Sequence, residues 1–543
     1  MSGKRVFYFA STLLVVVGIL AGFIFLGNVM AYGNSIYNQL GVFSQVLGHI
    51  SDNYVDEVDG EELIDGAITG MLEELDPHSN YLDADRFGRM QERNRGTYYG
   101  IGVSFDIVEG KLTVISPIEG SPSYKLGIRA GDVIAKIEGE SAKGITREEV
   151  FDKLRGPRGT TVHVSVEREG HDELLEFDIV RDEIPILSVP YHFMLSDNIG
   201  YVRMNRFSAT TSDELGEAIE DLKGKGMEQM ILDLRGNSGG YLNEAIEVSD
   251  MFLTGDKRIV YTRGRLPDAS EDYYTTGRGR FTEQPLIVMV DHGSASASEI
   301  VSGALQDWDR ALIVGQTTFG KGLVQRQYKL KNGAALLLTV ARYYTPSGRL
   351  IQRDYSDRDA YLSAETLDEI EANHEQAVAD TTIEKFRTAG NRTVLGGGGI
   401  FPDVEVDLAY PNSEATTQLN ADRAFFDFAP VYVSQNGLDA KEQDFDLFRR
   451  NFQLSDKDLS AFEKFLDSRE LEYSADSLAV HRELVERSIK AEIARTLWGE
   501  PQRYQILIEA DPELAEAMSL LPEAKLMARR VTDGEPGPVF DNN

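Results

Sequence analysis

The sequence predicts a mixed α/β, multidomain protein, and three observations carry that prediction. From Ile186 to about Ala409, short apolar runs with strand texture alternate with helical patterns, which is the rhythm of α/β layering. Ahead of this stretch, residues 97–182 read as short alternating strands with a single helix. Behind it, from about Asn412, strands give way to charged helical sequence. The expected order is an amino-terminal segment at 1–30, a helical region at 35–96, a β-rich module at 97–182, an α/β core at 185–410 and a helical region at 411–543.

The chain has 543 residues, 42% hydrophobic and 27% charged, enough apolar sequence to build several cores and too much for wholesale disorder. Lys and Arg number 55 against 89 Asp and Glu, a net charge of −34 that repels phosphate backbones and argues against a nucleic-acid partner. Cysteine is absent, so disulfides, thiol nucleophiles and cysteine-held metals are excluded. The 8 histidines show no His-Glu-x-x-His or comparable metal spacing, and no cofactor is expected.

Lys4 and Arg5 precede Val6–Leu26, a run without a charged residue. A helix needs about 20 apolar residues to cross a bilayer. The flanking bases belong on the cytoplasmic side, so the body is expected on the periplasmic or extracytoplasmic side. Val29-Met30-Ala31 also fits a cleavage site loosely, but a signal's apolar region is usually about 7–15 residues. A retained transmembrane anchor is therefore the expectation. From Ser35 to Arg95, Val42, Val46, Ile50, Leu63, Ile64, Ile68 and Leu72 recur at helical spacing until Asp76-Pro77-His78-Ser79 interrupts them. The module at 97–182 follows, with strands at Lys111–Ile115, Val133–Ile137 and Thr161–Val166 and a helix near Arg147–Leu154. In the core, strands at Ile199–Met204, Met230–Leu234 and Leu286–Val290 alternate with helices at Thr211–Lys223, Tyr241–Phe252 and Ala297–Gln306. Three roles are open for the helices after 411: oligomerisation, docking a regulatory partner, or covering the core.

Three core segments bear chemistry. Asp233-Leu-Arg-Gly-Asn-Ser-Gly-Gly240 leads from a strand into a helix, and its glycines let backbone N–H groups turn towards a ligand, as an oxyanion hole requires. Standing alone it is a tight turn. Ser294-Ala-Ser-Ala-Ser-Glu299 opens a helix, where a serine is ordinarily an N-cap and Glu299 its capping-box partner. Lys321 lies between Gly320 and Gly322, 25 residues after Ser296. A lysine that loses hydration can act as a neutral amine and take a proton from serine, whereas most loop lysines are simply solvated.

Taken in order with Phe319-Gly-Lys-Gly322, Tyr344-Thr-Pro-Ser-Gly348 and Gly396-Gly-Gly-Gly-Ile-Phe-Pro-Asp403, these motifs resemble the carboxyl-terminal processing, or tail-specific, proteases over roughly Tyr37–Leu408. The resemblance implies a serine endopeptidase with a Ser–Lys dyad that cleaves proteins near their C-terminus. It assigns the nucleophile to Ser296, the general base to Lys321 and the residue assisting that lysine to Gln325. It places the oxyanion hole at the N–H groups of Gly239 and Ala297. Tyr99-Gly100-Ile101-Gly102, with Gly131-Asp132-Val133-Ile134 after it, resembles the carboxylate-binding loop and second signature of PDZ domains. Substrates with free, apolar C-termini follow from that likeness.

Gly236-Asn-Ser-Gly-Gly240 also fits the serine motif of chymotrypsin-like proteases, with Ser238 as nucleophile, but those are twin β-barrels and this core alternates. His292, four residues before Ser296, reads as a structural loop histidine. The alternative outside enzymology is a membrane-tethered PDZ scaffold that binds tails without cutting them, against which the joint presence of serine, lysine and glutamine stands.

Overall fold

The computed structural model describes residues 36–168, 170–277, 279–362, 384–407 and 413–533, so the expected anchor at Val6–Leu26 lies outside the described residues. Among the described residues no helix is long and apolar enough to cross a membrane. The chain divides into two units, 1–81 and 82–543. In the first, a helix at 36–53 is followed by α1 (Gly60–Glu73). Asp59 starts α1 by accepting the N–H groups of Glu61 and Glu62, two of the donors a helix leaves open at its start.

The second unit begins with an antiparallel sheet of β1 (Val103–Val108), β2 (Lys111–Pro117), β3 (Val133–Ile137), β4 (Thr161–Glu167) and β5 (Leu175–Val180), in that spatial order. The longer helix of this module, α2 (Arg147–Leu154), packs into its core. Thr146 and Glu149 form a capping box that fixes where α2 starts. Val150 and Leu154, one turn apart, then reach the same core as Leu112, Val114, Ile134, Val162 and Val164. Among the described residues β1 has a strand partner on one side only, so its other edge is unpaired there.

The larger sheet runs β6 (Tyr191–Met194), β7 (Ile199–Arg203), β8 (Gln229–Asp233), β9 (Leu286–Val290), β10 (Leu312–Gly315) and β13 (Val404–Glu405). β6 is antiparallel to β7 and the other neighbours are parallel. Every residue of β9 is buried, as a central parallel strand covered on both faces demands. Helices α3 (Thr211–Gly224), α4 (Leu242–Phe252) and α5 (Ala297–Asp307) close one face, α5 bringing Val301 and Ala304 into the same core as Val202, Leu232 and Val288 of the sheet. A separate antiparallel layer holds the hairpin of β11 (Leu323–Lys329) and β12 (Ala335–Tyr344).

The opposite face of the large sheet settles one open question. Tyr201, Ile231, Ile287, Met289, Leu312 and Val314 are covered by Ile508, Leu514, Ala517, Leu521, Ala524 and Met527. These come from α6 (Glu500–Ile508), α7 (Pro512–Ser519) and α8 (Leu521–Asp533). The last part of the carboxyl-terminal region thus covers the core. Leu514→Ala and Met527→Ala should each cost about 2–5 kcal/mol of unfolding free energy in urea titrations. A loss below about 0.5 kcal/mol would mean that this face is not closed by these helices.

Candidate active site

β9 delivers the chain into a loop from Asp291 to Ser296, and α5 starts at Ala297. Ser296 has φ 55° and ψ −108°, a strained conformation for a residue with a side chain. The three serines of this segment are not equivalent. Ser294 and Ser298 are fully buried, and their hydroxyls lie 2.9 Å from the Leu234 carbonyl and 2.8 Å from the Asn237 carbonyl. They stitch the serine loop to the glycine turn. Ser296 alone remains partly open to solvent, at the positive end of α5.

The glycine turn reaches the serine because Gly239 has no side chain. With φ +91°, a Cβ there would lie 2.6 Å from the Ala295 carbonyl oxygen, 2.8 Å from Ala297 N and 2.9 Å from Ser296 Cβ. Asn237 fixes the turn by accepting the Ala295 N–H at 3.0 Å on its carbonyl. The Gly236 N–H donates to Asp291 Oδ1 at 2.7 Å. Of the two predicted oxyanion donors, the Ala297 N–H has no acceptor among the described residues, and the Gly239 N–H donates to Asn237 Oδ1 at 3.0 Å. Ser238 is exposed on the same turn, and the surrounding sheet is parallel rather than a barrel.

Lys321 is half-buried in the loop that enters β11. Two buried side chains join its main chain to that of Ser296. Glu299 Oε2 accepts the Ser296 N–H at 2.7 Å and the Lys321 N–H at 2.9 Å. Its Oε1 accepts the Thr318 hydroxyl at 2.6 Å and the Gly320 N–H at 2.7 Å. The Tyr343 hydroxyl, from β12, lies 3.1 Å from the Ser296 carbonyl oxygen and 2.5 Å from that of Lys321. His292 ties the loop after β9 to the segment before Lys321, its Nδ1–H donating to the Thr317 carbonyl at 2.7 Å. Gln325, on β11, carries a buried amide nitrogen with no hydrogen-bond partner among the described residues. That is an unspent donor in the strand the lysine loop leads into.

Sequence reasoning valued Glu299 only as a cap, and gave Tyr343 no role. The capping-box spacing of Ser296 and Glu299 was the available signal for the first, and nothing in the sequence marked the second. Burial raises the Glu299 carboxyl to about 7, against the downward pull of its four donors.

In a separate two-stranded ladder beside the sheet of β1–β5, Tyr99 and Gly100 pair with Glu183 and Asp182, while Ile101 and Gly102 form the loop before β1. The N–H groups of Ile101 and Gly102 have no acceptor among the described residues. Gly102 (φ +76°) is required because a Cβ would sit 2.2 Å from Ser121 Cβ. Beside them Ile101, Val103, Val150 and Leu154 share one apolar cluster between the loop, the edge of β1 and α2.

The family model of peptidase family S41 matches residues 198–361, a PDZ domain model 113–168, and an activating protease CtpB N-terminal domain model 28–86. Residues 416–499 match a family of unknown function. A carboxy-terminal-processing protease of Bartonella bacilliformis is 42% identical over 320 residues, which is 58% of this chain and 73% of the relative. The carboxy-terminal processing protease CtpA of Bacillus subtilis is 36% identical over 322 residues, 59% of this chain and 68% of its own. Among solved structures, the photosystem II D1 C-terminal processing protease is 26% identical, with 68% of this chain and 87% of that one covered at a TM-score of 0.35.

The raised Glu299 pKa sets a pH dependence of stability. The native state keeps this proton after the unfolded chain, at the ordinary 4.5, has released it. Wild type should therefore lose thermal stability relative to Glu299→Gln as pH climbs from 4.5 to about 7, with no further change above. A difference in melting temperature that is flat across that range would contradict the assignment.

Proposed function

We propose, from the premise that this chain belongs to the carboxy-terminal processing proteases of peptidase family S41, that Ser296 and Lys321 form the dyad with which it hydrolyses peptide bonds. The chain is a serine-type peptidase with a PDZ domain, and its ligands are peptide or protein substrates. The observation that carries the dyad is the pair of shared partners, Glu299 and Tyr343, which hold the Ser296 and Lys321 main chains together.

In this reading Ser296 Oγ attacks the scissile carbonyl while its proton passes to the neutral amine of Lys321. The oxyanion is taken by the Ala297 N–H and by the Gly239 N–H, the latter exchanging Asn237 Oδ1 for the substrate. Lys321 then returns the proton to the leaving amine, and the acyl group stays on Ser296. Water, deprotonated by the same amine, attacks the ester and releases the new C-terminus. Gln325 suits this cycle because an amide N–H donates to a neutral amine, which has a lone pair, and not to an ammonium.

The substrate's terminal carboxylate is read by the N–H groups of Ile101 and Gly102, and its tail extends the sheet at the edge of β1. The cluster of Ile101, Val103, Val150 and Leu154 favours an apolar last residue. Lys4, Arg5 and the uncharged Val6–Leu26 support a membrane anchor with the peptidase on the extracytoplasmic side.

The test is mass spectrometry of fragments released from a soluble protein with an apolar tail. Ser296→Ala and Lys321→Ala should each reduce release by about 1,000-fold or more, and Ser238→Ala by less than about threefold. Retained cleavage by Ser296→Ala would refute the dyad. With wild type, the rate should rise between pH 6 and 9 as the base loses its proton; a flat profile removes lysine from that role. Replacing the tail carboxylate of a peptide substrate by an amide should raise KM about tenfold or more with kcat retained, and an unchanged KM would remove the carboxylate contact.

A further inference from the structure

The glycine turn is also held from behind, by residues outside the stretch 198–361 that the peptidase model matches. Asp233, the last residue of β8, is completely buried. Its carboxylate accepts Arg203 Nη1 at 2.6 Å, the Tyr201 hydroxyl at 2.7 Å and Arg235 Nη2 at 2.7 Å. Burial would raise the Asp233 pKa, but the Arg203 and Arg235 guanidiniums outweigh it and hold the carboxyl down to about 2.

Arg235, inside the turn and largely buried, does not stop at Asp233. Its Nη2 donates to Asp511 Oδ2 at 2.7 Å, and its Nη1 to Glu513 Oε2 at 2.5 Å. Asp511 has a second commitment. Its Oδ1 caps α7, accepting the N–H groups of Glu513 at 2.9 Å and Leu514 at 3.2 Å. One carboxylate therefore ties the start of α7 to the turn that carries Gly239. Tyr504 of α6 adds a hydroxyl contact of 2.8 Å to Tyr201 and stacks on Tyr191 with ring centroids 4.0 Å apart.

We propose that Asp511 and Glu513 are positioning residues for catalysis: by saturating the Arg235 guanidinium they hold the glycine turn at the height where Gly239 meets the reacting carbonyl, so that α6 and α7 are part of the catalytic apparatus. The inference rests on the reading of Ser296 as nucleophile and of Gly239 as an oxyanion donor. The physical reason is the reach of Arg235. Asp233 belongs to the same strand end as the turn, so it cannot stop the two moving together, whereas Asp511 and Glu513 fix the turn to a separate element packed on the sheet. Their contacts lie four residues before Gly239, where a Cβ-sized displacement is already a collision with the serine loop.

The experiment compares kcat and KM for a tail-bearing peptide in the full chain and in Asp511→Asn/Glu513→Gln, with Asp511→Glu and Met527→Ala beside it. The double variant should lose about 10- to 100-fold in kcat with KM and tail-peptide affinity unchanged. Asp511→Glu, which keeps the charge, should recover part of that loss. Met527→Ala, on α8, loosens the apolar cover of the sheet without touching an ion pair, and should retain kcat below its melting temperature. An unchanged kcat in the double variant overturns the proposal, and so does an equal loss of kcat in Met527→Ala, since the helices would then matter only for stability. Ser296→Ala, assayed in parallel, separates the two levels. If it is inactive while the double variant is unimpaired, only the positioning role fails; if it still cleaves, the reading beneath has failed and the positioning role falls with it.

Discussion

One buried carboxylate organises the site. Glu299 accepts main-chain N–H groups from the serine loop and from the lysine loop, segments separated by a helix and a strand. Its cost is desolvation, visible in a carboxyl raised to about 7. Hydrogen bonds to a charged group return about 1.5–3 kcal/mol each, so four of them hold an ionisable group in a place that water cannot reach. The same bonds hold Ser296 at a positive φ that a free chain would leave. Strain at the nucleophile and burial at Glu299 are two sides of one device.

The rest of the fold keeps that device rigid. The parallel sheet points the ends of β8 and β9 to one edge, so the glycine turn and the serine loop leave it side by side. Ser294, Ser298 and Asn237 then lace the two together. The β11–β12 layer supplies Lys321 and Tyr343 from the other side. A sheet of this kind needs both faces covered, and here the second cover comes from α6–α8, far along the chain. The PDZ module stands apart from this chemistry, offering an unpaired strand edge and open N–H groups beside an apolar cluster.

Much of this was legible in the sequence, and the limits are physical. The strands Val133–Ile137 and Leu286–Val290 and the helix Arg147–Leu154 match their expected bounds, because apolar pattern and a capping box mark them unambiguously. Ser296, Lys321 and Gly239 were singled out by the ordered motifs and the family they resemble, and Glu299 and Tyr343 hydrogen-bond the main chains of the first two. β12 was missed because Ala-Leu-Leu-Leu-Thr-Val is apolar without alternation, a run that suits a strand or a buried helix equally. The partner of an amphipathic helix is likewise not written in its period: α8 announces an apolar face, but not that it lies on β9 and β10. Glu299 was visible as a cap, yet its second pair of bonds, to Gly320 and Lys321, depends on a loop returning from elsewhere.

On the proposed dyad, Ser296 becomes acylated because Lys321 takes its proton. Acid-quenching a reaction with an activated peptide ester and mapping the digested protein by mass spectrometry tests this directly. The acyl group is expected on Ser296 in wild type and is not expected over the same interval in Lys321→Ala. An adduct on Ser238, or equal acylation of Ser296 without Lys321, would contradict it.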